Sequence, residues 1–153
     1  MSTVIKVGNQ DVDGAQKAKE WVANGLDQEA IKYAEEFGKQ LAGKTHGNGS
    51  YSVLTTSQIR NFFGNVKKMQ QATSLDKSNE FDLTEFLLLK PRLAYAIKRN
   101  STDGGRDFAK VMQAAMDAVN SSKPNSNERI NRFKNFAALL EAILAYHRAA
   151  GGK

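Results

Sequence analysis

The sequence predicts an all-α protein: one compact bundle of about five helices, with the third helix kinked at Pro91. Two observations carry this. Apolar residues recur at spacings of three and four along most of the chain instead of alternating, and only two prolines, Pro91 and Pro124, interrupt 153 residues. A hydrophobic content of 41% over that length supplies a single core. The reading is of one helical domain over residues 26–153, preceded by a partly flexible segment over 1–25.

The elements follow in chain order. A short amphipathic turn around Trp21 and Val22 precedes the first clear helix, which opens at Asp27, a residue able to cap, and places Ala30, Ile31, Ala34, Phe37 and Leu41 on one stripe. Residues 43–50 hold three glycines and read as a loop. Thr55 with Gln58 three positions on spells a capping box, after which Ile59, Phe62, Phe63, Val66 and Met69 define a buried face. A polar loop over 73–80 separates this helix from the third, opened by Asp82 with Glu85, whose core side reads as Leu83, Phe86, Leu87, Leu93, Ala94 and Ile97. Pro91 lacks a backbone donor and crowds the preceding turn, so a kink or a fresh start is expected there. A Gly104-Gly105 hinge leads to a fourth helix with Phe108, Val111, Met112, Ala115 and Val119 in helical register. The last helix begins after Ser126 and runs to Gly151-Gly152. Its apolar arc spans roughly half the circumference, wider than the ~100° of a one-sided surface helix, so it is either central or partly an interface.

Charge narrows the function classes. The chain carries 22 Lys+Arg against 16 Asp+Glu, for a net charge of +6, and the excess is uneven. Up to Ser50 there are six basic and seven acidic residues; from Tyr51 onward, sixteen and nine. A surface of that sign favours polyanions, nucleic acid before anionic membrane. The absence of cysteine excludes disulfides, thiolate metal sites and cysteine nucleophiles, and cytoplasm is the expected compartment. No apolar run reaches the ~20 residues that span a bilayer, and no signal peptide is expected.

One motif calls for a decision. Gly38-Lys39-Gln40-Leu41-Ala42-Gly43-Lys44-Thr45 satisfies the phosphate-loop expression G-x-x-x-x-G-K-T. Phosphate binding there requires a strand before the loop and a helix after it, so that backbone donors and a helix N-terminus converge on the anion. Here the match ends an amphipathic helix and presents the wrong pole of its dipole, which reads as an ordinary C-terminus closed by glycine and lysine. His46 and His147 have no metal-ligand spacing around them, Glu35 and Glu36 diverge by about 100° on a helix, and Asp11 and Asp13 read as a mobile end and a cap. The expectation is therefore no catalytic residue, no metal and no cofactor.

The basic residues gain meaning on the helical wheel. Arg60, Gly64, Lys67 and Gln71 recur at i, i+4, i+7, i+11, with Lys68 beside them. Gly64 costs roughly 1 kcal/mol in helix propensity against alanine, but lets a sugar-phosphate backbone or another helix approach between Arg60 and Lys67. After the proline, Arg92, Tyr95 and Arg99 share a face, with Lys90 and Lys98 near its ends. Guanidinium groups around an aromatic ring suit single-stranded RNA. Each strip alone reads equally well as a solvated helix face, and Tyr95 equally well as a core-edge tyrosine.

At these segments the chain is similar to the small helical Csm-type subunits of type III-A CRISPR effector complexes. The similarity rests on Leu54-Thr55-Thr56-Ser57-Gln58-Ile59-Arg60-Asn61-Phe62-Phe63, on Leu89-Lys90-Pro91-Arg92-Leu93-Ala94-Tyr95-Ala96, and on the stretch from Phe133 through Tyr146-His147-Arg148 to Gly151-Gly152. These come in the family's order over about 100 residues. Residues 1–25 and the loops at 73–82 and 121–128 add nothing to it. The resemblance implies a compact subunit without a nuclease centre, present in several copies, that stacks along guide RNA and target RNA beside the other subunits of the effector and copies of itself, with no membrane partner. It implies RNA contacts at Arg60, Lys90 and Arg92, to which helical geometry adds Lys67, Lys68 and Arg99. The competing reading is a structural, oligomerising helical protein whose working surface is the last helix.

Overall fold

The computed structural model describes residues 2–44, 50–75 and 81–153. It is mostly helical, with six helices and one small antiparallel hairpin in place of about five helices. In the hairpin, β1 (Val4–Val7) pairs with β2 (Gln10–Asp13) so that Ile5 faces Val12 and Val4 faces Asp13. Gly8 takes φ +63° at the first position of the two-residue turn, where a left-handed backbone is needed. Ile5 and Val12 are buried while Val4 and Lys6 face out, the period-two pattern of a strand with one wet face.

Where the sequence suggests only a short turn around Trp21, α1 (Gly14–Asn24) is a helix of three turns. Asp13 caps it, its carboxylate accepting from the Ala15 N–H at 3.0 Å and from the Thr3 hydroxyl at 2.7 Å. Trp21 and Val22 are buried, and α1 lies along α5 (Asp103–Val119). The hairpin in turn sits on α2 (Gln28–Leu41), where the Tyr33 hydroxyl donates to the Thr3 carbonyl at 2.6 Å and the Gln40 amide to the Ser2 carbonyl at 2.8 Å. Asp27 caps α2 as expected, accepting from the Ala30 N–H at 2.9 Å. The stripe of α2 needs one correction: Ile31 is exposed and Tyr33 takes its place in the core, its ring in tilted contact with those of Trp21 and Phe37.

The centre of the molecule is α6 (Ser126–Ala149). It packs on α1, α2, α3 (Thr56–Leu75) and α5, which explains its broad apolar arc: Phe133, Phe136, Leu139, Leu140, Ile143 and Leu144 all point into the chain's own core. Asn125 and Glu128 form its capping box, so the helix starts at Ser126 itself. The closest helix pairing is with α2, where a side chain at Gly38 would strike the α6 backbone at Tyr146 and His147. That contact gives the first glycine of the phosphate-loop expression a packing role. Gly43 follows the helix at φ +78°, and Thr45 to Gly49, including His46, lie outside the described residues.

Two further expectations are revised. Gly104 and Gly105 form no hinge; both are buried in the first turn of α5, capped by Thr102. A methyl group on Gly104 would meet the backbone of Val53 and Leu54, so the glycine is there for close approach. In α4 (Leu83–Arg99), the third helix of the sequence reading, the chain passes through Pro91 without a fresh start. Its core side is Phe86, Leu89, Leu93 and Ile97, spaced three, four and four, with no phase break at the proline. Leu87 and Ala94, expected inside, are exposed in consequence. Asp82 caps α4 by accepting from the Glu85 N–H at 3.1 Å. α3 extends to Leu75, into the expected polar loop, whose residues 76–80 lie outside the described residues.

Candidate nucleic-acid interface

Helix α3 is positioned at both ends of its first turn. Residues 51–55 thread between three helix termini: the Leu54 N–H donates to the Leu41 carbonyl at 2.9 Å, the Gly104 N–H to the Ser52 carbonyl at 2.8 Å, and His147 Nε2 lies 2.8 Å from the Leu54 carbonyl. The Tyr51 hydroxyl donates to Asp107, which is itself buried and also receives the Gln40 amide. Burial and the bond to Asp107 push the Tyr51 phenol far above its ordinary range. The Thr55 N–H then donates to Gln58 Oε1 at 2.9 Å, one half of the expected capping box, and the Gln58 amide donates onward to the Asn100 carbonyl at 2.6 Å. The start of α3 is thereby tied to the end of α4, and the two helices lie side by side.

Between them runs a groove of about 660 Å³. From α3 it is lined by Arg60, Asn61, Gly64, Asn65 and Lys68, and from α4 by Arg92, Tyr95 and Arg99, with Asn100 at the end. Among the described residues four cations face it and no carboxylate does. A side chain at Gly64 would meet nothing within 4 Å, so α3 is bare at that point. Tyr95 is 67% exposed and belongs to the groove wall, not to the core edge.

The six basic candidates divide cleanly. Arg60, Lys68, Arg92 and Arg99 line the groove; Lys67 and Lys90 do not. Lys67 pairs with Glu141 of α6 and sits 5.5 Å from the Phe63 ring, and Lys90 pairs with Asp117 of α5 at 2.8 Å. Of the four groove cations only Arg92 has a carboxylate within 4 Å among the described residues, Glu85 at 3.2 Å. The groove therefore concentrates positive charge that, Arg92 apart, no carboxylate of the described residues compensates, the condition under which phosphates bind by displacing counterions. The wheel did not anticipate the three carboxamides, Asn61, Asn65 and Asn100, because their relevance depends on two helices distant in sequence meeting face to face.

His147, also passed over as a site, is fully buried, with Nδ1 unpartnered among the described residues and Gly152 against its ring. Burial holds its pKa below the ordinary histidine value, so it is a neutral structural side chain bonded to the Leu54 carbonyl. Among the described residues, no three His, Asp or Glu side chains gather in a way that could hold a metal ion, and no helix is long and apolar enough to cross a membrane.

No curated protein and no solved structure matches the chain. The family model described as Csm2 Type III-A, in contrast, matches residues 27–153, from the first residue of the α2 cap through α3, the groove and α6. Because that match covers far more than half the sequence and includes both walls of the groove, the chain belongs to the Csm2 Type III-A family, the structural small subunits of type III-A CRISPR effector complexes.

Proposed function

We propose that this chain is a non-catalytic RNA-holding subunit, working in the cytoplasm, that stacks in several copies along the guide RNA and target RNA of the effector and grips the target strand in the α3–α4 groove. The observation that carries this reading is a groove lined, among the described residues, by four cations and no carboxylate. Arg60, Lys68, Arg92 and Arg99 hold phosphates, while guide-target pairing reads the sequence, so binding is salt-dependent and nearly indifferent to sequence. Lys67 and Lys90, each already paired with a carboxylate, act at the margins of this surface.

A second surface suits the protein neighbours. Leu87 and Leu88 on the outer side of α4 are 52% and 39% exposed, an apolar patch fit for a neighbouring subunit or copy. The alternative of a purely structural protein without RNA contact relies on the last helix as its working surface, and that helix is occupied by the chain's own core.

The test is binding of the purified protein to labelled RNA across a salt series. Arg60→Ala and Arg99→Ala are each expected to weaken binding to all sequences alike and to lower the salt slope by roughly 0.7 to 0.9. Unchanged affinity and slope in both would remove the groove from the RNA path.

A further inference from the structure

We propose that the α3–α4 groove is a pocket for one unpaired nucleobase, stacked on Tyr95, so that the strand held there has at least one nucleotide out of its helix. This rests on the RNA reading above and goes beyond it, since phosphate binding requires only the cations.

Three features of the groove are superfluous for phosphates. The first is Tyr95, the most exposed large hydrophobic side chain among the described residues at 67%, and paired there with no other ring. It stands on α4 between Arg92, one turn before it, and Arg99, one turn after, and all three line the groove. The second is the set of carboxamides. Asn61 and Asn65 line the opposite wall with no hydrogen-bond partner among the described residues, and each offers a donor and an acceptor. The third is space: about 660 Å³, within the ~300–1,000 Å³ of pockets that enclose small organic ligands, with the α3 wall left bare at Gly64.

Ring, amides and room together fit a base and its sugar. A base stacks on an aromatic side chain through its π-face whatever its identity, and carboxamides meet its hydrogen-bonding edge. A fully paired strand offers neither, because its faces are covered by neighbouring bases and its pairing edges are occupied. The four cations then hold the phosphates flanking the extruded nucleotide.

Three RNAs of one sequence test this: a single strand, a fully paired duplex, and a duplex with a one-nucleotide bulge carrying 2-aminopurine. The single strand and the bulged duplex are expected to bind more tightly than the paired duplex, with 2-aminopurine fluorescence quenched on binding. Tyr95→Leu should lose roughly tenfold or more on the single strand and the bulged duplex and little on the paired duplex, with the salt slope unchanged because no charge is removed. Tyr95→Phe should retain wild-type binding. Equal affinity for all three RNAs, or an unchanged affinity in Tyr95→Leu while Arg60→Ala and Arg99→Ala still weaken binding, overturns the base pocket and leaves the phosphate reading standing. If the arginine variants also change nothing, both readings fall.

Discussion

At the scale of single residues, a charge matters here according to what already neutralises it. Arg60 and Lys67 are two turns apart on one helix and look alike on a wheel, yet Arg60 faces a groove without a carboxylate among the described residues while Lys67 is engaged by Glu141 and Phe63. Lys67→Ala is accordingly expected to change the salt slope less than Arg60→Ala does. Its exposed ion pair contributes only about 0–1 kcal/mol, so a denaturant titration should show a small loss of stability at most. Gly64 separates packing from binding in the same way. Open space around its missing side chain means Gly64→Ala should stabilise α3 by up to about 1 kcal/mol, read as a rise in melting temperature. Gly64→Glu, also a better helix former than glycine, places a carboxylate among the groove cations and should impair RNA binding more than Arg60→Ala. Equal RNA affinity in wild type and Gly64→Glu would show that no phosphate passes that point.

Elements are held in place by close approaches that a sequence reading misreads as flexibility. Gly104-Gly105 resembles a hinge, but Gly104 lets α5 touch the backbone of Val53 and Leu54, the strap that launches α3. Gly104→Ala is expected to destabilise the fold by about 1–3 kcal/mol, measurable by denaturant unfolding, since backbone cannot give way as a side chain can. Wild-type stability in that variant would mean the strap is free to shift. Pro91→Ala restores a backbone donor in an unbroken helix. It should raise or preserve the melting temperature while lowering RNA affinity, if the proline sets the aim of Arg92, Tyr95 and Arg99; unchanged affinity would show that it does not. The helices with a clean 3.6-residue period, α2, α5 and α6, were legible in the sequence, as were the caps at Asp27 and Asp82. The hairpin was legible too in principle, from Gly8-Asn9 between two short alternating runs, but four-residue strands carry little periodicity and were subsumed into an N-terminal segment. In α4 the sequence reads Phe86, Leu93 and Ile97 correctly as core, whereas the unbroken spacing of Phe86, Leu89, Leu93 and Ile97 adds Leu89 and excludes Leu87 and Ala94. Of the groove, Arg60, Gly64, Lys68, Arg92, Tyr95 and Arg99 were visible as two separate strips. Their meeting, and the ion pairs that remove Lys67 and Lys90, depend on contacts between residues distant in sequence that periodicity cannot encode.

For the whole molecule, three titratable side chains, the buried His147 and Tyr33 and the half-buried Tyr51, join the secondary-structure elements and set a pH window. His147 ties α6 to the strap, Tyr51 ties the strap to α5, and Tyr33 ties α2 to the N-terminal hairpin. Burial lowers the folded-state pKa of His147 below 6.5. The unfolded chain therefore binds the proton more readily, and stability is full above about 6.5 and lost as pH falls toward the folded value. The two phenols shift the other way, burial raising both well above 10.0, so their contribution is full below about 10 and lost as pH rises beyond it. Asp103, held below 3.8 chiefly by its bonds to Ser52, weakens the fold only in a more acidic range, which keeps the histidine window separate. Unfolding free energy from urea titrations should thus form a plateau between about pH 6.5 and 10, with an acid limb whose slope reaches at most about 1.4 kcal/mol per pH unit for one proton. In His147→Gln the amide can still donate to the Leu54 carbonyl without titrating, so the acid limb below pH 6.5 should flatten even where the plateau is lower. An acid limb of unchanged slope in that variant would show that the proton is taken up elsewhere and that the junction of α6 with the strap does not sense pH.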